Sequence, residues 1–428
     1  MFKKTSTGFI KTKILFFIVF SMCFFSCKTK PHTIIVWTDK AEMASYIEHF
    51  NNSQEKIRAV LVYKERLALS FPVQKDEKSP DVVIGSFLMN SLTKRTFLPV
   101  NSLMDTKNAS QKIDFSVFYP SLLQYGQIDN TQYLFPVSFN LPLIMFSEKN
   151  EPFIPDSSSL ELEEIKEAAG TFNAKNGNGT FSKMGFAPSW NADFVYTAAK
   201  ITGADFMEIG KSFGWNLTAL ENTIDFMREW TKEFNTSSES ETDFSFKYLY
   251  TPPYKQIMSG RCLFAYSRSN EFFALTAEQI ADADFRWLSS EGEIFAEDDI
   301  TSAGIYRKTR EKTAAKTFLR WILSEKTQKE LLDRTKEHNL SVHKFGICDG
   351  FSSIRTVNER YFPVHYKNLL GNLPGENAIL APLPLPPRWE SLKSRVLIPY
   401  LSDAIKDEPP RKMQTIDDRL KMWSKQFN

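Results

Sequence analysis

The stretch TIIVWTDKAEMASYIEHF, Thr33 to Phe50, joins two different periodicities across a short polar turn. Ile34, Ile35, Val36 and Trp37 are the β-branched and aromatic residues of a buried strand. Met43, Tyr46, Ile47 and Phe50 then recur at i, i+3, i+4 and i+7, one face of a helix. A strand feeding a helix through so short a turn is the first half of a βαβ unit and commits the chain to α/β layering. In open α/β sheets ligands gather where such turns lie, at the carboxyl ends of the strands. This turn has no glycine to cradle a phosphate, which leaves Thr38 and Asp39 as its polar groups.

The pattern continues. Arg58–Tyr63 reads as a second strand, and Asp81–Ile84 as a third that stops at Gly85-Ser86. Two prolines interrupt the apolar stretch from Tyr133 to Asn150, so it is predicted as an extended crossing, neither a continuous helix nor a central strand. Residues 150–185 are polar and rich in Gly and Asn, the most loop-like part of the interior. Helical spacing returns at Trp190–Thr202 and around Leu220, Ile224 and Met227. An amphipathic turn at Tyr254–Met258 precedes a strand, RCLFAYS. The acidic run EGEIFAEDDI (291–300) reads as a solvated loop, without the residue order of a calcium loop. A long helix follows, with Ala314, Phe318, Trp321 and Ile322 on one face, then an extended proline-rich run, then helical pattern at Trp389–Leu401 and Thr415–Trp423.

At 428 residues the chain is long enough for two or three domains. Its formal net charge is +2, but Lys3, Lys4, Lys11 and Lys13 stand in residues 1–26 without an acid, which leaves the rest near −2. Such a body has no electrostatic footprint for nucleic acid. The apolar run ILFFIVFSMCFFS behind those lysines suits a signal-peptide core and is too short to span a bilayer. Ser26-Cys27 at its end resembles the lipobox of bacterial lipoproteins, which makes Cys27 the expected lipidation site. Cys262 and Cys348 remain, as buried free thiols or a single bridge, with no metal-type spacing. Neither His-Glu-x-x-His nor Gly-x-Ser-x-Gly occurs, and the five histidines are dispersed, so no catalytic, metal or cofactor site is expected.

Several segments, taken in order, resemble the solute-binding proteins of ABC-type sugar importers: IIVWTDKAEMASYIEHFN, SPDVVIGSF, YLFPVSFNLPLIMFSEK, GRCLFAYS, SAGIYRKTREKTAAKTFLRWILSEKTQKELL and LPLPPRWESLKSRV. The resemblance implies a two-lobed, periplasmic-binding-protein-like α/β fold (type II), each lobe a sheet flanked by helices, joined by hinge crossings. It places a signal peptide at 1–26, one lobe in 27–142 and 300–340, and the other in 143–299 and 341–428. It also implies a non-enzymatic, monomeric, lipid-anchored protein of the cell envelope, on the periplasmic face or cell surface. Such a protein captures a carbohydrate between its lobes and delivers it to ABC permease subunits.

Within that frame the ligand-binding candidates are Thr38, Asp39, Ser86, Phe87, Asn140, Trp190, Tyr266 and Trp389. The first four end strands of the first lobe. Asn140 offers an amide that both donates and accepts. The three aromatics are platforms for the apolar faces of sugar rings. Asp39 has a second reading, as a helix cap with Glu42 three residues on. Trp37 reads as core, as do Trp215, Trp230, Trp287, Trp321 and Trp423. Competing expectations are the same fold holding a non-sugar solute, a recruited surface lipoprotein or sensor, and a secreted glycosidase.

Overall fold

The computed structural model describes residues 30–103, 112–210, 212–337 and 344–426. Cys27 and the expected signal segment lie outside them. Ten strands build two main sheets: β1 (His32–Thr38), β2 (Ile57–Tyr63), β3 (Val82–Gly85), β4 (Phe135–Phe139), β5 (Pro142–Ser147), β6 (Ser159–Leu160), β7 (Phe264–Arg268), β8 (Ala283–Leu288), β9 (Thr301–Ile305) and β10 (Phe351–Ser352). The first lobe holds the order β10-β4-β9-β3-β1-β2, and the second β7-β5-β8-β6. β1 runs parallel to β2 and β3, whereas β9 returns antiparallel between β3 and β4. The helix Met43–Ser53 follows β1 and buries Met43, Tyr46, Ile47 and Phe50, the four residues its spacing selects.

The chain passes between lobes three times. β4 leads into β5 through Asn140 and Leu141, and β8 leads back to β9 through residues 289–300. The third passage follows Ile379–Leu380, which pairs in parallel with Ile294–Phe295 of the second. Residues 344–426 therefore divide between lobes: β10 pairs with β4 in the first, while Trp389, Leu392, Val396 and Leu401 pack into the second. The sheet of the second lobe is buried on both faces. Leu143, Met145, Phe285 and Trp287 join a core continuous with the first lobe, and Ile144, Phe146, Phe264, Tyr266 and Leu288 face the opposite cluster. Alternation along each strand produces this division.

Three expectations change. β4 and β5 are interior strands despite their prolines. Pro136 sits where the β9 register shifts, and Pro142 is the first residue of its strand, two places where a missing N–H is tolerated. The loop-like region 150–185 contains the helix Leu162–Phe172, started by a reciprocal capping box between Glu161 and Glu164 and buried along Ile165, Ala169 and Phe172. The long helix after β9 breaks into Lys312–Ile322 and Glu325–Glu337. Cys262 and Cys348 are free and buried, and burial pushes the Cys262 thiol up to about 12. Trp37, Trp230 and Trp287 are fully enclosed.

β2 is an edge strand, and its outer backbone is capped by amides of the helix before it. Asn51 donates to the Ala59 carbonyl at 3.0 Å and accepts from the Ala59 N–H at 2.8 Å. Gln54 does the same for Ile57. These side chains take the place of a neighbouring strand, which blunts an edge that otherwise exposes Val60 and Tyr63. The double substitution Asn51→Ala, Gln54→Ala should lower unfolding stability by about 1–3 kcal/mol, four modest hydrogen bonds being lost. It should also shift the chain toward dimers in light scattering. A monomer of unchanged stability would mean that water replaces both amides without loss.

Candidate functional site: a charged cleft between the lobes

Two adjoining cavities of about 540 and 390 Å³ lie between the lobes. From the first lobe come Asp39 and Lys40 after β1, Arg66 and Leu67 after β2, and Ser86 and Phe87 after β3. The second lobe supplies Trp389, Glu390 and Arg395 from the segment that enters its C-terminal helices. Glu297, Asp298 and Asp299 of the second passage form the floor of the smaller cavity.

Asp39 does not cap the helix after it. The helix begins at Met43 with Glu42 in the cap position and no side-chain cap bond. Instead Asp39 Oδ2 accepts from the Ser86 N–H at 3.1 Å, which draws the ends of β1 and β3 together. Asp39 Oδ1 is buried and has no partner. Gly85 makes this possible, because a Cβ there would lie 2.6 Å from that oxygen. Burial raises the Asp39 carboxyl above the usual carboxylate range. Ser86 Oγ donates to the Asp299 carbonyl at 2.9 Å, tying the first lobe to the second passage.

The acidic run at 291–300 is solvated only at its start, residues 291–293, and its later acids turn inward. Glu297 and Asp298 are each 5% exposed, and each is paired. Asp298 Oδ2 accepts from Tyr196 Oη at 2.7 Å and Trp389 Nε1 at 2.9 Å, while Oδ1 accepts from Lys200 Nζ at 2.9 Å. Burial alone would raise this carboxyl. The charges of Lys200 and Lys393, with the Tyr196 hydrogen bond, overcome it and hold the group well below its ordinary value. Arg268 donates to Asp299 at 2.6 Å, and Tyr266 donates to Glu297 at 3.1 Å. Burial opposes the Arg268 charge, but Asp299 and Glu297 prevail and raise its pKa; Arg268 in turn lowers that of Asp299 against burial. Asp299 Oδ1 is buried without a hydrogen-bond partner.

Of the eight ligand candidates, Asp39, Ser86, Phe87 and Trp389 converge on this cleft. Thr38 is wholly buried, and its hydroxyl accepts the Lys40 N–H at 3.0 Å, shaping the turn from behind. Asn140 spends its amide inside the hinge, donating to the Asp349 carbonyl at 2.9 Å and accepting from Ser269 Oγ at 2.7 Å. Tyr266 is buried beneath the floor, bonded to Thr197 and Glu297. Trp190 stands on a separate apolar cavity within the second lobe, stacked on Phe244 at 5.5 Å with its indole N–H on the Glu241 carbonyl. Trp389 touches the cleft but is 1% exposed and bound to Asp298, so it serves as a wall with little free ring face.

Among the eight ligand candidates Asp39 is the one charged residue. The larger cavity in fact sets Asp39, Glu65, Asp299 and Glu390 against Lys40, Arg66, Arg388 and Arg395. Arg66 and Arg395 carry no local motif. Asp298 and Asp299 were readable only as members of a charge run, and Lys200 as one more residue of a helix. At the rim the Ser91 N–H of the first lobe donates to Glu208 of the second at 2.6 Å.

No family model and no curated protein matches this sequence. Solved structures do match in shape. The sugar-binding protein MalE from the phytopathogen Xanthomonas citri superposes with a TM-score of 0.65 at 12% identity, over 92% of this chain and 96% of that one. CpMnBP1 with mannotriose bound gives 0.60 at 13%, over 93% and 100%. The GacH receptor of Streptomyces glaucescens, solved unliganded and with acarbose, gives 0.59 at 11%, over 93% and 97%. The fold is the two-lobed, periplasmic-binding-protein-like one. At these identities the likeness is one of fold, and it spans nearly the whole of both chains.

Because the folded protein keeps Asp298 ionised to lower pH than the unfolded chain does, the unfolded chain takes up that proton first as pH falls. The stabilisation is therefore whole above about pH 5 and is lost progressively below about pH 4, the ordinary aspartate value. Asp298→Asn should cost about 3–5 kcal/mol at pH 7, since it strands a buried Lys200. It should also flatten the loss of stability between pH 5 and 3 in urea titrations. A variant as acid-sensitive as the wild type would exclude Asp298 as the source.

Proposed function

We propose that this protein captures a sugar or oligosaccharide between its lobes and delivers it, unchanged, to an ABC permease, while a lipid on Cys27 holds it at the membrane. The observation that carries the reading is the cleft's pairing of opposite charges around unpartnered carboxylate oxygens. A sugar hydroxyl both donates and accepts, so it suits a surface presenting carboxylates and guanidinium groups side by side. A polyamine would want the acids without the cations, and an anion the reverse. Asp39 Oδ1 and Asp299 Oδ1 are acceptors withdrawn from water with no donor of their own, a cost that a ligand hydroxyl would relieve. The Phe87 ring offers an apolar face beside them.

Binding would draw the lobes together because the ligand touches both, so its affinity for the closed form exceeds that for the open one. The hinge is ready for this. Asn140 reaches both lobes through one side chain, and its carbonyl accepts the Glu297 N–H of the second passage at 2.8 Å.

A thermal-shift panel of mono- and oligosaccharides, polyamines, amino acids and anions, run on the chain from Lys28 onward, tests the reading. A selective rise with one sugar class is expected; ligand at about 100 times its Kd adds roughly 2.7 kcal/mol. A rise with another class would keep the fold and discard the cargo, and no response at all would favour a surface or sensory role. Asp39→Ala should weaken sugar binding about tenfold to a hundredfold, the loss of a hydrogen bond to a charged group. Turnover of the sugar would point to a glycosidase instead. Separately, Cys27→Ser should abolish incorporation of labelled fatty acid and release the protein from membranes, as removal of the acyl chains requires.

A further inference from the structure

We infer that Phe87 is a specificity-determining partition: it divides the interlobe cleft into two chambers and so sets the length of carbohydrate the cleft admits. The inference rests on the sugar-binding reading above. The two cavities adjoin along a shared lining of Phe87, Asp299, Trp389, Glu390 and Ser394. Among these, Phe87 is the apolar ring that leaves the first lobe and packs against the core cluster of the second.

Its backbone lies at φ 57°, a conformation that a bulky residue rarely adopts. Such strain persists only where the surroundings over-determine it. Here they do. Ser86 is held through its N–H by Asp39 and through its hydroxyl by Asp299, and Asn90 Nδ2 holds the Phe87 carbonyl at 3.2 Å. On the facing side the C-terminal segment departs from α geometry, forming a π turn at Lys393–Leu397 just before Pro399. The missing proline N–H gives a local reason for the irregularity. The consequence is that Lys393 lines the inner chamber, Arg395 the outer, and Ser394 both. π turns are rare and concentrate at functional sites. Two costly local conformations thus meet where the cavities adjoin.

The chambers also differ chemically. The outer one balances its charges, whereas the inner one is acidic, walled by Asp193, Glu297, Asp298, Asp299 and Glu390 against Arg268 and Lys393. Each is of a size that suits one small ligand. A ligand spanning both must displace the Phe87 ring from its apolar seat, which favours short sugars in the outer chamber and penalises longer chains.

Phe87→Gly removes the ring and relieves the backbone, and Phe87→Asn is a second variant that tolerates the same φ. Calorimetric titration of the wild type and both variants would use mannose, mannobiose, mannotriose, maltose and maltotriose, with thermal unfolding to verify that each protein is folded. The affinity for trisaccharide relative to monosaccharide should rise at least about tenfold in the folded variants, the scale on which pocket shape discriminates. A crystal structure of Phe87→Gly should show one continuous cavity. An unchanged length preference in folded variants of a sugar-binding wild type would overturn the partition and leave sugar capture standing. Two separate cavities in the Phe87→Gly structure would overturn it whatever is bound. Failure of all three proteins to bind any of these sugars, with a continuous cavity in the variant, would overturn sugar capture and the length role together.

Discussion

A single buried carboxylate, Asp298, sets the geometry of the second lobe's side of the cleft. Three donors from different parts of the chain meet on it: Lys200 and Tyr196 from one helix and Trp389 from the start of another. A charge that is 5% exposed is tolerable because both its oxygens are hydrogen-bonded and a buried lysine faces it. Lys200 is also anchored on the Ala296 carbonyl at 2.7 Å, so the passage between lobes is pinned at two successive points. If this knot were apolar, nothing would fix the direction in which Trp389 and Glu390 face. With it, the C-terminal segment enters the lobe at one angle and presents Glu390, Ser394 and Arg395 to the cleft.

The charges of the cleft therefore fall into two populations. Asp298 and Glu297 are spent on structure, their oxygens bonded to Tyr, Trp, Lys and the Arg268 neighbourhood. Asp39 and Asp299 each keep one oxygen in structural service and one without a hydrogen-bond partner. The division is physical: a carboxylate with one side held and one side open is pre-oriented, so binding to it loses little side-chain freedom. Burial raises both Asp39 and Glu390, because each is withdrawn from water before any ligand arrives. Ligand donors would restore part of that lost solvation.

Much of the fold was legible in the sequence, because periodicity is a local property. Met43, Tyr46, Ile47 and Phe50 are all buried, and the strand ends at Asp39 and Ser86 come to one cleft. The interior strands β4 and β5 were obscured by their prolines: Pro136 is tolerated through a register shift in a partner more than 150 residues away, and Pro142 because it begins its strand. The site was only half legible. Asn140, Tyr266 and Trp190 have the chemistry of sugar-contacting residues, but that chemistry is equally suited to a hinge, a floor and a core stack. Which use prevails is decided by Ser269, Glu297 and Phe244, none of them near in sequence.

Trp389 and Phe87 show how the two kinds of information combine. A tryptophan behind a proline-rich run suggests a platform, yet its N–H finds a buried carboxylate, and that bond turns the indole into a wall. A phenylalanine after Gly-Ser carries a weaker signal. It gains its place from a backbone conformation held by Asp39 and Asp299 through Ser86, both of them groups that also face the cleft. Asp39 holds this turn through its carboxylate and Asp299 through its backbone carbonyl, so a ligand that engaged the Asp39 carboxylate would act on the turn that positions the ring. On the proposed reading, recognition of a hydroxyl by Asp39 and control of the passage between chambers would be coupled through one serine.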